Sequence, residues 1–181
     1  MEKTTLRSEM RAIDDLPPDS ESAVVDGLFA WLSGRLPGTI SGYLAMPGEV
    51  DLEPLLLRLP GWRWILPRVE EDGSLTFRDV DAPRQRHPFG MEQPADSGPI
   101  VPVAEIDVLL VPGLAFDLRG DRLGNGAGHY DRVLSGLRSG AETIGIAPAA
   151  RVVEEVPIEP HDQRVRWLAT EQGVIRCHPS M

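Results

Sequence analysis

The chain of 181 residues contains little cysteine, little lysine and no long apolar run. Its single cysteine, Cys177, excludes an intramolecular disulfide and a cysteine-based zinc site, and a reducing, cytoplasmic setting is the simplest interpretation. No apolar stretch approaches the roughly 20 residues of a membrane helix, and the N-terminal segment MEKTTLRSEMR has no signal-peptide core. We therefore expect no membrane partner.

Basic residues are also scarce. The chain has 18 basic and 28 acidic residues, so its net charge is −10. Binding to a nucleic-acid backbone needs a broad basic footprint, so we expect no nucleic-acid partner. A small anionic ligand is still compatible with this charge where cations or backbone N–H groups are concentrated locally. Lysine is the scarcest basic residue, since Lys3 is the one lysine among the 18.

The chain does contain alternating apolar runs and amphipathic segments. The spacing of Leu6, Met10 and Ile13 predicts a helix over 2–14, and Ser20 is a candidate N-cap for a second helix. The predicted helices cover 2–14, 23–36, 51–60 and 129–138, and the predicted strands cover 39–46, 62–70, 74–80, 106–111, 143–150 and 167–175. This order predicts one α/β domain over 1–181 with a mainly parallel sheet.

Residues 81–105 are rich in proline and polar side chains and show no periodicity. We predict a long surface loop without regular structure here. Loops of this length in a compact domain tend to be functional, so this one is a candidate cover for a ligand.

The segment LRGDRLGNGAGHYDR, residues 118–132, is rich in glycine and lies between a predicted buried strand and a predicted helix. Backbone N–H groups without side-chain bulk at a helix N-terminus can surround phosphate oxygens, and Arg122 can add a guanidinium contact. The segment lacks the Gly-Lys-Ser/Thr of a P-loop, and a dinucleotide fingerprint would need glycine where His129 stands. From the residues alone, an anion site and a mobile surface turn both fit.

The longer stretch VPGLAFDLRGDRLGNGAGHYDR, residues 111–132, resembles the signature of the 5-formyltetrahydrofolate cyclo-ligase family, also called methenyltetrahydrofolate synthetases. Three further segments match in the family's order: KTTLR from Lys3, TISGYLAMPGEVD with Glu49 near its end, and HDQRVRWLATEQGV from His161. Four ordered matches between residue 3 and about residue 174 are more specific than any one of them.

The resemblance implies a three-layer α/β/α fold and a ring closure that depends on ATP and Mg²⁺. In that reaction the formyl oxygen of 5-formyltetrahydrofolate attacks the γ-phosphate of ATP. N10 then attacks the activated carbon, and phosphate leaves to yield 5,10-methenyltetrahydrofolate and ADP. The implied small-molecule partners are a reduced folate, ATP and Mg²⁺.

The resemblance also assigns site residues. ATP would be bound by the N-terminal helix and the glycine-rich segment, through Lys3, Arg7, Arg122, Leu123, Gly124, Asn125, Gly126, Ala127, Gly128, His129 and Tyr130. The folate would contact Arg7, Leu44, Met46, Glu49, Asn125 and His129, and Mg²⁺ would be held by Asp131 and Asp162. Plainer interpretations stay open: helix-surface charges for Lys3 and Arg7, a dipole-complementing carboxylate for Asp131, and ordinary strand core for Leu44 and Met46. Trp62, Trp64 and Phe89 are candidate stacking walls or core residues.

Four positions depart from the family pattern. Asn125 is usually aromatic or basic there, Ala127 is usually glycine or lysine, His129 is usually tyrosine, and Gln93 stands where a glutamate-proline pair is common. The exchange at His129 introduces a group that titrates near neutrality. These departures motivate a second hypothesis, a family relative that binds nucleotide or folate without efficient catalysis as a sensor or partner module. A third is another α/β enzyme acting on sugar phosphates or CoA thioesters.

Overall fold

The computed structural model describes residues 2–13, 17, 19–87 and 91–178. The helices are α1 (Lys3–Arg11), α2 (Ser20–Ser33), α3 (Glu53–Arg58) and α4 (His129–Gly136). The strands are β1 (Thr39–Ser41), β2 (Arg63–Val69), β3 (Leu75–Asp79), β4 (Arg84–Arg86), β5 (Glu92–Pro94), β6 (Val108–Pro112), β7 (Ala115–Phe116), β8 (Arg122–Leu123), β9 (Glu142–Ile146), β10 (Trp167–Thr170) and β11 (Gly173–Arg176).

A seven-stranded central sheet has the order β11-β10-β9-β6-β1-β2-β3. The strands from β10 through β9, β6 and β1 to β2 run parallel, whereas β3 and β11 pair antiparallel with their neighbours at the two edges. Two small hairpins, β4–β5 and β7–β8, lie outside this sheet. The prediction of an α/β fold with a mainly parallel sheet is confirmed.

Both faces of the sheet are apolar because helices cover both. On β6, Val108 and Leu110 pack in the cluster that contains the buried residues of α2 and α3, whereas Leu109 and Val111 pack in the cluster that contains Val133 of α4. Helix α1 packs on the β7–β8 hairpin in a third cluster. These clusters give the three layers that the family resemblance implied.

The carboxyl ends of β1 and β6 lie side by side at a reversal of strand order. From β1 the chain passes through α3 to β2 on one side, whereas β6, β9 and β10 lie in succession on the other side. Ligands of open α/β sheets bind beyond the carboxyl ends of strands at such a reversal. The fold therefore places the loop after β1 and the glycine-rich segment after β6 at the expected ligand position.

Several local predictions are wrong. The N-cap of α2 is Asp19 and Ser20 is the first residue of the helix, and the strands predicted over 39–46 and 143–150 end at Ser41 and Ile146. Residues 81–105 are not without regular structure, because they contain β4, β5 and a 3₁₀ turn over Val103–Glu105. These strands are three residues long and β4 is exposed, so they carry no apolar alternation. The predicted strand over 167–175 is two antiparallel strands, β10 and β11, with Gly173 at φ +115° after the turn. In the described ranges, no helix has the length and apolarity needed to cross a membrane.

The close packing of Gly145 on β9 against Phe116 makes a stability prediction. A Cβ at Gly145 would lie 2.7 Å from Cδ1 and 2.9 Å from Cζ of this fully buried ring. Overpacking of this kind costs about 1–3 kcal/mol, so Gly145→Ala should lower the free energy of unfolding by that amount in urea denaturation followed by tryptophan fluorescence. Gly34→Ala is the control, because a Cβ there meets nothing closer than 3.9 Å at φ −80°. Equal stability of the two variants would contradict the prediction.

Candidate functional site

A cavity of about 400 Å³ opens at the carboxyl ends of β1 and β6. Its lining includes all the site residues that the resemblance assigned, from four separate parts of the chain: Lys3, Arg7, Leu44, Met46, Glu49, Arg122 through Asp131, and Asp162. The assignment of each residue to a ligand stays a prediction. Their convergence on one cavity is the observation that the sequence alone could not supply.

The glycine-rich segment forms one wall of the cavity. Gly126 and Gly128 have φ angles of +112° and +65°, in the left-handed region that favours glycine. Among the described residues, the N–H groups of 124–128 have no hydrogen-bond acceptor. Gly128 is also the N-cap of α4, so these free donors lie next to the positive end of a helix dipole. The wall is therefore suited to an anion.

Helix α1 packs beside the glycine-rich segment. Its buried Leu6 and Met10 pack against β7 and β8. That packing places Arg7 over the glycine-rich segment, where its Nε donates to the carbonyl oxygen of Gly124 at 3.0 Å. One turn further on, Arg11 donates to Asn125 Oδ1 at 3.2 Å. Arg7 and Arg11 are thus tied to the segment by direct hydrogen bonds.

Lys3 connects α1 to the segment that precedes β10. Its Nζ lies 2.6 Å from Asp162 Oδ2 and 2.7 Å from Glu159 Oε2. Burial works against the ammonium charge, but the two carboxylate hydrogen bonds outweigh it and raise the pKa of Lys3 above its usual value. Burial also opposes the charge of Asp162, yet Lys3 and the Glu159 N–H hold the pKa of that carboxyl below its usual value.

The two carboxylates around Lys3 and the neighbouring His161 have the spacing of metal ligands. One ligand atom each from Glu159, His161 and Asp162 can be chosen so that all lie within 4.8 Å of one another. Asp131 lines the same cavity, but its Oδ2 accepts from Arg122 Nη2 at 2.9 Å and its Oδ1 from the Gln163 N–H at 3.1 Å. A metal ion at Asp131 would share a carboxylate that already binds Arg122, whereas Lys3 and the Glu159 N–H both bind Oδ2 of Asp162 and leave its Oδ1 without a hydrogen bond among the described residues.

The loop after β1 forms the opposite wall. Glu49 Oε2 accepts the Met46 N–H at 3.0 Å, and the Glu49 N–H donates to the Met46 carbonyl oxygen at 2.9 Å. Burial raises the pKa of the Glu49 carboxyl, and the Met46 hydrogen bond and the charge of Arg151 oppose that rise. Glu49 is thus a half-buried carboxylate beside the apolar side chains of Leu44 and Met46.

Two aromatic residues at the start of α4, His129 and Tyr130, also line the cavity. Burial lowers the pKa of His129, and the nearby Arg132 and Arg122 cations lower it further, so the imidazole is neutral at neutral pH. Burial raises the pKa of Tyr130. The histidine that replaces the family's tyrosine therefore brings no positive charge into the cavity.

The charge balance of the lining is negative. Three basic side chains, Lys3, Arg7 and Arg122, oppose five acidic ones, Glu49, Glu92, Asp131, Glu159 and Asp162. An anionic ligand would not be held by this set of charges alone. It would need the free N–H groups of 124–128, or cations that enter with it.

Sequence reasoning missed part of the lining. Tyr43, which lies in the matched segment TISGYLAMPGEVD but was assigned no role, also faces the cavity. So do the apolar groups of Pro67, Val69, Leu75 and Met91, which no motif marked. Gln93 lines it from β5 and accepts the Val69 N–H at 3.1 Å, so the 81–105 segment does border the cavity. Trp62 and Trp64 are buried core residues on the α2–α3 side. Phe89 lies outside the described residues.

Comparison with known proteins gives a consistent result. The model of the 5-formyltetrahydrofolate cyclo-ligase family matches residues 2–171. The 5-formyltetrahydrofolate cyclo-ligase of Mycolicibacterium smegmatis is 31% identical, with 96% of this chain and 94% of the relative covered. The Escherichia coli K12 protein of the same name is 32% identical over 68% of this chain and 72% of its own.

Two solved structures are similar in fold. The NMR structure of Aquifex aeolicus 5,10-methenyltetrahydrofolate synthetase has a TM-score of 0.83 and 30% identity, and the match covers 100% of this chain and 95% of that one. The 5,10-methenyltetrahydrofolate synthetase of Mycoplasma pneumoniae has a TM-score of 0.78 at 23% identity over 94% and 99% of the two chains. The second likeness concerns the fold alone.

The left-handed backbone at Gly128 makes a prediction for the anion wall. A Cβ there would have room, because its nearest neighbour is Arg132 Nη1 at 3.7 Å, so the backbone angle alone decides the cost. Asparagine visits this region and is a good N-cap, whereas a β-branched residue is strained by roughly 1–2 kcal/mol. Gly128→Asn should keep most of the unfolding free energy and Gly128→Val should lose more of it in urea denaturation. The reverse order would contradict the left-handed assignment.

Proposed function

Because the chain belongs to the 5-formyltetrahydrofolate cyclo-ligase family, we propose that it cyclises 5-formyltetrahydrofolate to 5,10-methenyltetrahydrofolate with ATP and Mg²⁺ as co-reactants. The observation that carries the proposal is the one cavity at the carboxyl ends of β1 and β6 on which the assigned site residues converge. It is lined together by α1, the loop after β1, the glycine-rich segment and the residues before β10. The products are then ADP and phosphate.

The glycine-rich segment and α1 bind the nucleotide in this proposal. The free N–H groups of 124–128 and the N-terminus of α4 are donors fixed in place for phosphate oxygens. Arg7 already lies on this wall and Lys3 is next to it. Donors that are fixed before the reaction stabilise the charge that develops during phosphoryl transfer, which suits a weak nucleophile such as a formyl oxygen.

The carboxylates of the cavity fit Mg²⁺, which prefers oxygen ligands and uses one or two carboxylates together with phosphate oxygens and water. Asp162 lies in the cluster with Glu159, and Asp131 lines the same cavity. When bound, Mg²⁺ neutralises phosphate charge. The excess of carboxylates in the lining supports a requirement for Mg²⁺, since a triphosphate without a metal would bring more negative charge into a cavity that is already negative. Lys3 and Arg122 would transfer from these carboxylates to the phosphates.

The loop after β1 binds the folate in this proposal. A carboxylate accepts hydrogen bonds from adjacent N–H groups of a pterin ring in a two-pronged contact, and Glu49 is such a group at the cavity wall. Leu44, Met46 and the apolar side chains from β2 and β3 provide the surrounding surface. The formyl end would then face the glycine-rich segment, where Asn125 and His129 lie.

An absorbance assay tests the proposed reaction. Purified protein mixed with 5-formyltetrahydrofolate should produce the methenyl absorbance only when both ATP and Mg²⁺ are present, because the cavity lining is negative without the metal. Omission of each component in turn is the control. Tight binding of nucleotide or folate by calorimetry with no absorbance change would instead support the sensor or partner module. Absence of both binding and turnover would contradict the proposal.

Replacement of Lys3 tests the nucleotide end. A charge-assisted contact is worth roughly 1.5–3 kcal/mol, and 1.4 kcal/mol is a factor of ten, so Lys3→Met should raise the KM for ATP about tenfold or more. The loss of its ion pairs should lower the free energy of unfolding by no more than about 1 kcal/mol. Thr5→Met on the exposed side of α1 is the matched control and should change neither quantity. An unchanged KM for ATP in Lys3→Met would exclude Lys3 from the site.

A further inference from the structure

Arg151 is a buried cation directly behind the loop that carries Glu49. It ends the 3₁₀ turn Ala149–Arg151, which follows the carboxyl end of β9, and it is 6% exposed. It is not part of the cavity lining, and neither the glycine-rich segment nor the family resemblance pointed to it. Burial of a guanidinium costs free energy unless the group is hydrogen-bonded or interacts with an opposite charge.

The guanidinium packs against Gly48. Arg151 Nη1 donates to the carbonyl oxygen of Gly48 at 2.5 Å. A Cβ at Gly48 would lie 3.1 Å from Nη2 and 3.7 Å from Nη1, and Gly48 has φ +85°. Glycine at this position therefore gives both the backbone angle and the space for the close approach. The contact fixes the chain immediately before Glu49.

The other donors of Arg151 are not used up by this contact. Its Nε is buried and has no hydrogen-bond partner among the described residues. The charge of the guanidinium acts on the neighbouring carboxyl of Glu49. The side chain thus combines one structural hydrogen bond with a positive charge behind the cavity wall.

We propose that Arg151 is a positioning residue that fixes the 46–49 loop and places a positive charge behind the Glu49 carboxylate that contacts the reduced folate. This inference rests on the proposed function, because it takes Glu49 as the folate contact. It assigns Arg151 no contact with substrate. It accounts for a buried cation that lies behind the cavity wall without lining the cavity.

Among the charges that act on Glu49, that of Arg151 opposes the rise of its pKa. Burial raises the pKa of Glu49, and the negative charge of Glu49 adds to the burial that raises the pKa values of Tyr43 and Tyr130. Both phenols are therefore neutral across the physiological range. The Met46 N–H and the Arg151 charge oppose the rise at Glu49. Since a carboxyl with a raised pKa loses its charge as the pH falls, removal of Arg151 should move that loss to higher pH.

Carbon-13 NMR titration of the Glu49 carboxyl tests the inference without any ligand, with the resonance assigned from Glu49→Gln. Arg151→Gln should raise the Glu49 midpoint by about one pH unit, as expected when a nearby cation is lost. Arg151→Lys keeps the positive charge and should restore most of the original midpoint. If Arg151→Gln fails to fold, Arg151→Lys is the deciding variant. It removes the planar guanidinium and should lengthen the contact with the Gly48 carbonyl oxygen, while the Glu49 midpoint stays close to that of the natural protein.

Calorimetric binding of 5-formyltetrahydrofolate supplies the second readout. At pH values below the raised midpoint, Arg151→Gln should bind the folate about tenfold more weakly, with the affinity recovering at higher pH. In a Glu49→Gln background the same change should have no further effect on affinity, because the interaction acts through Glu49. The KM for ATP should stay unchanged.

Arg78→Gln is the matched control, since Arg78 is 2% exposed, also has a buried Nε without a partner among the described residues, and lies on β3 away from Glu49. It should lower stability without moving the Glu49 midpoint. An unmoved midpoint in Arg151→Gln would overturn the inference even if the natural protein turns over the folate. Failure of the natural protein to bind the folate would overturn the proposed function, and the NMR titration would still decide the role of Arg151.

Discussion

The parallel pairing of β1 with β6 is the constraint on which the site depends. Ile40 lies opposite Val108 and Ser41 opposite Leu109, although these pairs are far apart in the sequence. Because the two strands are parallel, both continue into loops at the same edge of the sheet. The loop with Glu49 and the glycine-rich segment consequently face each other across one cavity. A shift of either strand would separate the two walls.

Hydrophobic packing decides where the cations of α1 lie. A helix of nine residues is too short to be stable alone, so α1 depends on Leu6 and Met10 being buried against the β7–β8 hairpin. Those two positions are four residues apart and fix the rotation of the helix about its axis. Arg7 then contacts the glycine-rich segment, and Lys3 reaches the carboxylates before β10. The polar contacts are therefore a consequence of an apolar docking.

The sequence predicts the parallel strands well because their apolar runs are buried on both faces, as Val108 to Val111 show. It fails for β4, since Arg84 to Arg86 is exposed and its pairing with β5 depends on tertiary contacts. Motifs identified residues that line the cavity, among them Lys3, Glu49 and Asp131. They did not identify Arg151, because burial next to a loop that is distant in the sequence leaves no local pattern. The resemblance supplied the site residues, and the topology explains why they converge.

The net charge of −10 reflects the whole surface and says little about anion binding in the cavity. At physiological ionic strength the Debye length is about 8 Å, so distant surface carboxylates are largely screened from a ligand in the cavity. The charges that act on a ligand are then those of the lining itself. There Lys3 is paired with Asp162 and Glu159, and Arg122 is paired with Asp131. Lys3 and Arg122 are therefore neutralised by carboxylates before any ligand arrives, whereas Arg7, among the described residues, donates only to the carbonyl oxygen of Gly124. A phosphate can gain Lys3 and Arg122 only if another positive charge takes their place at the carboxylates, which couples the binding of a nucleotide to that of a metal ion.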